Sequence, residues 1–303
     1  MNYVICIIGP TAVGKSALSL ELAERLQAEI ISSDSRQMYR YLDIGTAKAN
    51  EEELQQVNHH FINSLNPDQE YNAADFEKEA EKLIQHLHTS SDVVIVVGGS
   101  TLYMDALWFG FDDMPNIDPK VRSDLMSEYE EKGLADLLTE LEAVDPQTYD
   151  KIDRNNHARV MRALEVYRSS GKPISAFRKG KKAKETPWKY IKIGLTDERE
   201  RLYKRIDERV LKMINAGLEQ EVKTLLQTYG PKAPALQSIG YSEMISYLQG
   251  EIDLEEAIRL IQRNSRRYAK RQFTWFRRYE DIQWFEVGQS IEIWEWLQAE
   301  LEN

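Results

Sequence analysis

The chain has 303 residues and 35.2 kDa, is 42% hydrophobic and 29% charged, and carries a formal net charge of −11. That balance excludes a disordered chain and gives enough length for one large or two ordinary cores. The longest apolar runs, residues 3–8 and Val93–Val97, fall far short of the roughly 20 residues of a spanning helix, and a start without a basic leader predicts a cytoplasmic protein.

Residues 3–8 form a β-branched run that predicts a strand, residues 9–16 a glycine-bearing turn, and residues 17–27 a helix with Leu18, Leu22 and Leu26 at helical spacing. The one cysteine, Cys6, lies in that first strand and reads as a small buried residue with no disulfide partner. Glu29–Ser32 is a second strand, residues 75–88 a helix with Phe76, Ala80, Leu83, Ile84 and Leu87 on one face, and Val93–Val97 a central parallel strand stopped by Gly98 and Gly99. His59 and His60, side by side, read as structural rather than metal-binding. Strand–helix alternation at this spacing predicts an α/β fold, a parallel sheet covered by helices. From residue 115 to 187 the texture changes to helices at 118–132, Leu134–Val144 and 155–170, a mostly helical inserted domain. The core then resumes from 188 to 303, with a strand at 189–195, helices at 198–216 and 217–229, a long helix at 254–278, a strand at 281–287 and a Trp-rich closing helix.

Charge is unevenly spread. Residues 151–189 hold 12 Lys/Arg against 3 Asp/Glu, including the Lys179, Lys181, Lys182 and Lys184 run, and residues 259–278 hold 8 Lys/Arg and no acid. An acidic body with two basic stretches fits a nucleic-acid binder with a confined contact surface. In the second stretch, Arg259, Arg263, Arg267, Lys270 and Arg271 form a stripe, and Phe273, Trp275 and Phe276 interleave with cations. Those aromatics either stack on unpaired bases or pack into the core with only the cations outward.

The strongest motif is Gly9-Pro10-Thr11-Ala12-Val13-Gly14-Lys15-Ser16, which matches G-x-x-x-x-G-K-[ST] between an apolar strand and a helix. Backbone N–H groups curled around a phosphate and a helix start behind them make a pyrophosphate site. Lys15 adds a cation to it, and the Ser16 hydroxyl is a Mg²⁺ ligand. The Val93–Val97 strand ends in Gly98-Gly99-Ser100-Thr101 with no acid of the kind that holds Mg²⁺ in nucleotide-hydrolysing enzymes. The nearest acid at a strand end is Asp34, which would hold Mg²⁺ indirectly, take a proton from a nucleophile, or only cap a turn.

In these motifs the chain resembles the bacterial tRNA dimethylallyltransferases, also called tRNA isopentenyltransferases. The segments that carry the resemblance are the glycine motif, Asp34-Ser35-Arg36-Gln37-Met38-Tyr39, Gly45-Thr46-Ala47-Lys48, Gly98-Gly99-Ser100-Thr101-Leu102-Tyr103, Arg159-Val160-Met161-Arg162-Ala163-Leu164-Glu165-Val166, Ile239-Gly240-Tyr241 and Arg267 to Arg277, in the family's order. Ser16 and Ser100 stand where the family often has Thr, keeping the hydroxyl, and Ala49 where it often has Pro. The resemblance implies transfer of a dimethylallyl group from dimethylallyl diphosphate to the exocyclic amine of the adenosine 3′ to the anticodon of tRNA, with Mg²⁺ as cofactor. It implies Asp34 as general base, Ser100 beside the reacting groups, and Arg209 on the diphosphate. For the tRNA anticodon stem-loop it implies contacts from Asp34, Ser35, Arg36, Gln37, Ser100, Arg122, Arg159, Val160, Met161, Arg162, Ala163, Gln237, Ser238, Ile239, Gly240 and Tyr241. The last implied contacts are Lys270, Arg271, Gln272, Phe273, Thr274, Trp275, Phe276 and Arg277. A monomer is expected. The competing readings are a small-molecule kinase with a helical lid, which would turn over ATP, and a non-catalytic P-loop RNA-binding protein, in which Asp34→Ala would change no activity.

Overall fold

A computed structural model describes residues 1–110, 112, 114–178, 180 and 183–302. The chain divides into two compact units, one made of Met1–Trp108 and Glu185–Asn303 and the other of Phe109–Lys184. The second unit therefore starts and ends a few residues before the change of texture in the sequence.

The first unit is built on six parallel strands, β1 (Asn2–Ile8), β2 (Glu29–Ser32), β3 (His59–His60), β4 (Val93–Val97), β5 (Trp188–Thr196) and β6 (Gln283–Glu286), in the order β3-β2-β4-β1-β5-β6. β1 lies between β4 and β5, with Ile5 opposite Ile95 on one side and Ile191 on the other. Both faces of β1 are covered, so its residues from Val4 to Ile8 are all inaccessible, and this is why its sequence runs continuously apolar instead of alternating. Cys6 sits among them, its thiol pushed up to about 12 by burial, with the Trp108 indole N–H donating to its sulfur at 3.4 Å. Such a thiol is unreactive. β3 is a two-residue edge strand in which His60 bonds Glu29 at 2.8 Å and His59 meets the Val57 carbonyl, both structural contacts.

The helices at Lys15–Leu26, Ala73–Leu87, Arg199–Asn215, Leu218–Tyr229 and Leu254–Phe276 lie within a few residues of their sequence signals. The Thr101–Phe109 helix was not legible because Tyr103, Met104, Asp105, Ala106, Leu107 and Trp108 are all buried, leaving no polar face to set a period. The second unit packs Leu125, Leu137, Leu141, Val160 and Leu164 around one core. Two of its helices start at side-chain caps that sharpen their boundaries, Asp118 before Pro119 and Asn156 before His157. Within it Arg168 bridges Glu128 and Glu140, which holds its pKa well above the usual arginine value. Of the lysine run, Lys179, Lys181 and Lys182 lie outside the described residues. Among the described residues no helix is long and apolar enough to cross a membrane.

Candidate active site

In a parallel sheet the loops at the carboxyl ends of the strands gather on one side, and that is where ligands bind. Three such loops are joined here. The Ser33 N–H donates to the Val97 carbonyl at 2.7 Å, and Gly98 N–H to the Ile7 carbonyl at 3.2 Å, tying the ends of β2, β4 and β1 together. The glycine loop follows β1 and turns into the Lys15–Leu26 helix through Gly14 at φ 109°, a conformation open to glycine at little cost. The Lys15 ammonium folds back to donate to the Gly9 and Pro10 carbonyls at 3.0 and 2.9 Å. Burial lowers its pKa to about 8, partly offset by Asp34, with Arg209 lowering it further. The Ser16 hydroxyl makes no hydrogen bond within the described residues and is exposed beside Lys15.

Two cavities open here. One, of about 480 Å³, is walled by Thr11, Ala12, Gly14, Lys15, Ser16, Asp34 and Gln37 and by Arg205, Glu208, Arg209 and Lys212 from one face of the Arg199–Asn215 helix. The other, of about 340 Å³, is walled by Thr11, Ala12, Asp34, Ser35, Arg36, Gln237, Ser238, Ile239, Gly240, Tyr241, Tyr268 and Arg271, with Val210, Met213 and Ile261 as apolar lining. Asp34 and Arg209 stand in the walls of both. Asp34 caps a turn and faces the cavities at once: Oδ1 accepts the Arg36 and Gln37 N–H groups at 2.8 and 3.4 Å, while Oδ2 accepts none among the described residues. Ser100 Oγ accepts the Ser35 N–H at 3.0 Å, which pins the same turn to the loop after β4. Arg209 donates to the Thr46 carbonyl at 3.1 Å, and its pKa is lowered by burial while Asp34 opposes the shift.

The Gly45–Lys48 loop that receives Arg209 is itself held by Glu221, whose oxygens accept the Asp43, Ile44 and Gly45 N–H groups at 3.0, 2.7 and 3.1 Å and the Tyr241 hydroxyl at 2.6 Å. Glu221 carried no signal in the sequence beyond its place on an amphipathic helix. Tyr268 lies in the family-like segment Arg267 to Arg277, but the sequence assigns it no role. Its phenol is pushed up to about 12 by burial and by Asp34, and it walls the second cavity with Asp34 and Arg271.

The long helix Leu254–Phe276 separates the residues of its basic stretch. Lys270, Arg271, Thr274 and Arg277 are exposed, whereas Gln272 and Phe276 are 2% and 0% exposed. Phe276 packs edge-on to Trp108, and Trp275 donates its N–H to Asp105 at 3.1 Å. Core packing therefore takes Phe276, while Phe273 and Trp275 are half-buried under Arg277 and Arg278, with guanidinium–ring distances of 4.3 and 3.7 Å. Partners outside the stretch also reduce the apparent charge excess: Arg259 pairs with Glu256 one turn earlier on the same helix and Arg266 with Asp207 of another helix, while Arg267 and Lys270 have no partner among the described residues. In the helical unit Arg159 and Arg162 are exposed, but Val160, Met161 and Ala163 are buried core residues whose side chains present no surface to a partner. Arg122 and Arg162 flank the buried Glu165 carboxylate at 3.6 and 3.3 Å.

A parallel sheet with a glycine-lysine loop at its carboxyl ends, and a carboxylate and a guanidinium shared between two adjoining cavities, defines a P-loop α/β protein. The IPP transferase family model matches residues 37–279. A tRNA dimethylallyltransferase of Cytophaga hutchinsonii is 47% identical over 302 residues, covering 100% of this chain and 98% of its own. The structure of a full-length tRNA isopentenylpyrophosphate transferase from Bacillus halodurans matches with TM-score 0.74 and 38% identity, covering 100% of this chain and 97% of that one. A eukaryotic dimethylallyltransferase crystallised acting on tRNA matches with TM-score 0.79 and 30% identity over 94% of this chain and 74% of its own. The chain belongs to the IPP transferase family.

Proposed function

We propose that the protein transfers a dimethylallyl group from dimethylallyl diphosphate to the exocyclic amine of the adenosine 3′-adjacent to the anticodon in tRNA. The observation that carries this reading is the pair of cavities sharing Asp34 and Arg209. The cation-rich cavity suits a diphosphate: loop N–H groups, Lys15, Arg209 and Lys212 meet its charge. The second, with its apolar lining and half-buried polar walls, suits an adenine turned out of its stack. In the reaction the amine nitrogen forms a bond to the allylic carbon, the carbon–oxygen bond breaks, and diphosphate leaves with the electron pair. The free Oδ2 of Asp34 takes the amine proton. Arg209, held toward both cavities by the Thr46 carbonyl, stabilises the charge that grows on the leaving group.

The donor set at the cradle fits Mg²⁺. It offers one exposed hydroxyl, Ser16, which suits an ion that keeps waters and takes most of its ligands from a diphosphate. When bound, Mg²⁺ neutralises diphosphate charge at Ser16. Arg159 and Arg162 of the helical insertion, together with Arg122, Lys270, Arg271 and Arg277, serve as cations for tRNA phosphates, and the protein acts as a cytoplasmic monomer. The test is incubation with unmodified tRNA and dimethylallyl diphosphate followed by nucleoside mass analysis. A prenylated adenosine from the wild type and none from Asp34→Ala, with RNA still bound, is the expected result; equal product from both removes Asp34 as the base.

A further inference from the structure

Gln272 is a neutral side chain in a basic helix, 2% exposed, and its amide is used at both ends. The Thr11 N–H donates to Oε1 at 2.8 Å, and Nε2 donates to the Gly99 carbonyl at 2.8 Å. A backbone N–H only donates and a carbonyl only accepts, so the orientation of the amide is determined. A Cβ at residue 99 would lie 2.1 Å from Nε2, and glycine there is what lets the amide reach the backbone. Thr11 belongs to the cradle and lines both cavities. Gly99 adjoins Ser100, whose hydroxyl pins the Asp34 turn. One buried amide thus connects the helix that exposes Lys270 and Arg271 to both loops that bear the reacting groups. A buried amide is costly unless both ends are bonded, and here both are.

We infer that Gln272 is a positioning residue for the transfer reaction: from the RNA-facing helix it holds the Thr11 backbone in the shape that receives the diphosphate, and it does not itself touch RNA. The inference rests on the reading of the cradle as the donor site. It separates Gln272 from the neighbouring cations Lys270 and Arg271, which are exposed.

Gln272→Glu tests it. Ionised, the carboxylate has no donor for the Gly99 carbonyl and places a negative charge beside the cradle. Protonated, it has one O–H donor and one carbonyl acceptor, the pattern of the amide. Burial raises the carboxyl pKa and brings the switch into a convenient range. The expected result, by calorimetry with dimethylallyl diphosphate, is a loss of roughly a hundredfold in affinity at about pH 8. The loss should shrink toward the wild-type value at about pH 5.5, each compared at the same pH. Affinity for an unmodified anticodon stem-loop stays unchanged. Gln272→Met, which fills the space without either bond, should lose roughly tenfold at every pH. Loss of RNA affinity with donor affinity intact, or donor binding by Gln272→Glu equal to wild type at every pH, overturns the inference. In the wild-type protein the Thr11 amide should exchange slowly with deuterium, and exchange at open-loop rates also overturns it. Failure of the wild type to bind dimethylallyl diphosphate would instead sink the donor reading, with Thr11 protection still reporting on the strap.

Discussion

The two cavities that meet at Asp34 differ in how far their walls rest on one stretch of chain. The cation-rich one centres on Thr11, Ala12, Gly14, Lys15, Ser16 and Ala17 from one stretch, faced by Arg205, Glu208, Arg209 and Lys212 from one helix and closed by Ser32, Asp34, Gln37, Ala47, Val97 and Gly98. The other draws its walls from residues 34–36, 45–46, 206–213, 237–241 and 261–271, segments scattered over most of the chain. Phosphate is recognised by charge and by backbone N–H groups, which a single turn supplies. A planar base needs walls on several sides, which only several elements supply. One half of the site is therefore centred on a motif, while the other has no such centre and is a product of folding.

That contrast breaks most sharply at the group common to both halves. Asp34→Asn keeps the turn-capping oxygen but cannot take a proton, so kcat should fall by about 10² to 10⁴ while the affinities for donor and RNA hold. Single-turnover kinetics with both substrates saturating measures this. Lys15→Met acts on one half only. It should weaken dimethylallyl diphosphate binding by about a hundredfold and leave RNA binding unchanged. Because burial depresses the Lys15 pKa, the same substitution should raise the melting temperature of the unliganded protein near neutral pH.

The pH dependence sharpens the same half. With the Lys15 ammonium at about 8, donor affinity should fall as pH rises through that value, a step missing in Lys15→Met. The sign for stability is opposite. The folded protein gives up this proton before the unfolded chain does, so the Lys15 contribution to stability of the free protein rises above about pH 8 and levels near the ordinary lysine value of 10.5. Denaturant titrations across that range, compared with Lys15→Met, read it directly. Smallest are the cations of the long helix. Arg267→Ala and Lys270→Ala should each weaken RNA binding a few-fold and lower the salt slope by about one, with donor affinity untouched. A drop in donor affinity instead would place that helix face on the diphosphate side.

The legible parts of the molecule are those in which function or burial is written into neighbours along the chain. β1 and β4 show as apolar runs because both their faces are covered, and the phosphate loop shows because its glycines, lysine and serine must be adjacent. The basic stretch from 259 to 278 shows too, but its meaning does not. Read linearly it has no acid, yet in the fold Asp207 and Asp105 reach it from other helices. Phe276 and Gln272 look like their exposed neighbours in sequence and are buried, because helical rotation turns them inward. Arg209 is marked only by family resemblance. Glu221 carries no mark, and Tyr268 none beyond its place in the family-like segment Arg267 to Arg277, since a carboxylate collecting three loop N–H groups and a phenol facing Asp34 are relations between distant segments.

By itself the sequence determined a parallel α/β sheet, a P-loop after its first strand, an acid at the end of its second and a run of helices after residue 115. Each follows from local periodicity or from residues that must be contiguous to act. Only the tertiary structure decided that Asp34 and Arg209 stand between two cavities, that Glu221 sets the loop that aims Arg209, and that Gln272 reaches back to the cradle from a helix 261 residues further along the chain. Those are long-range hydrogen bonds and shared walls, and their physical requirement is proximity in space, which no spacing along the chain encodes.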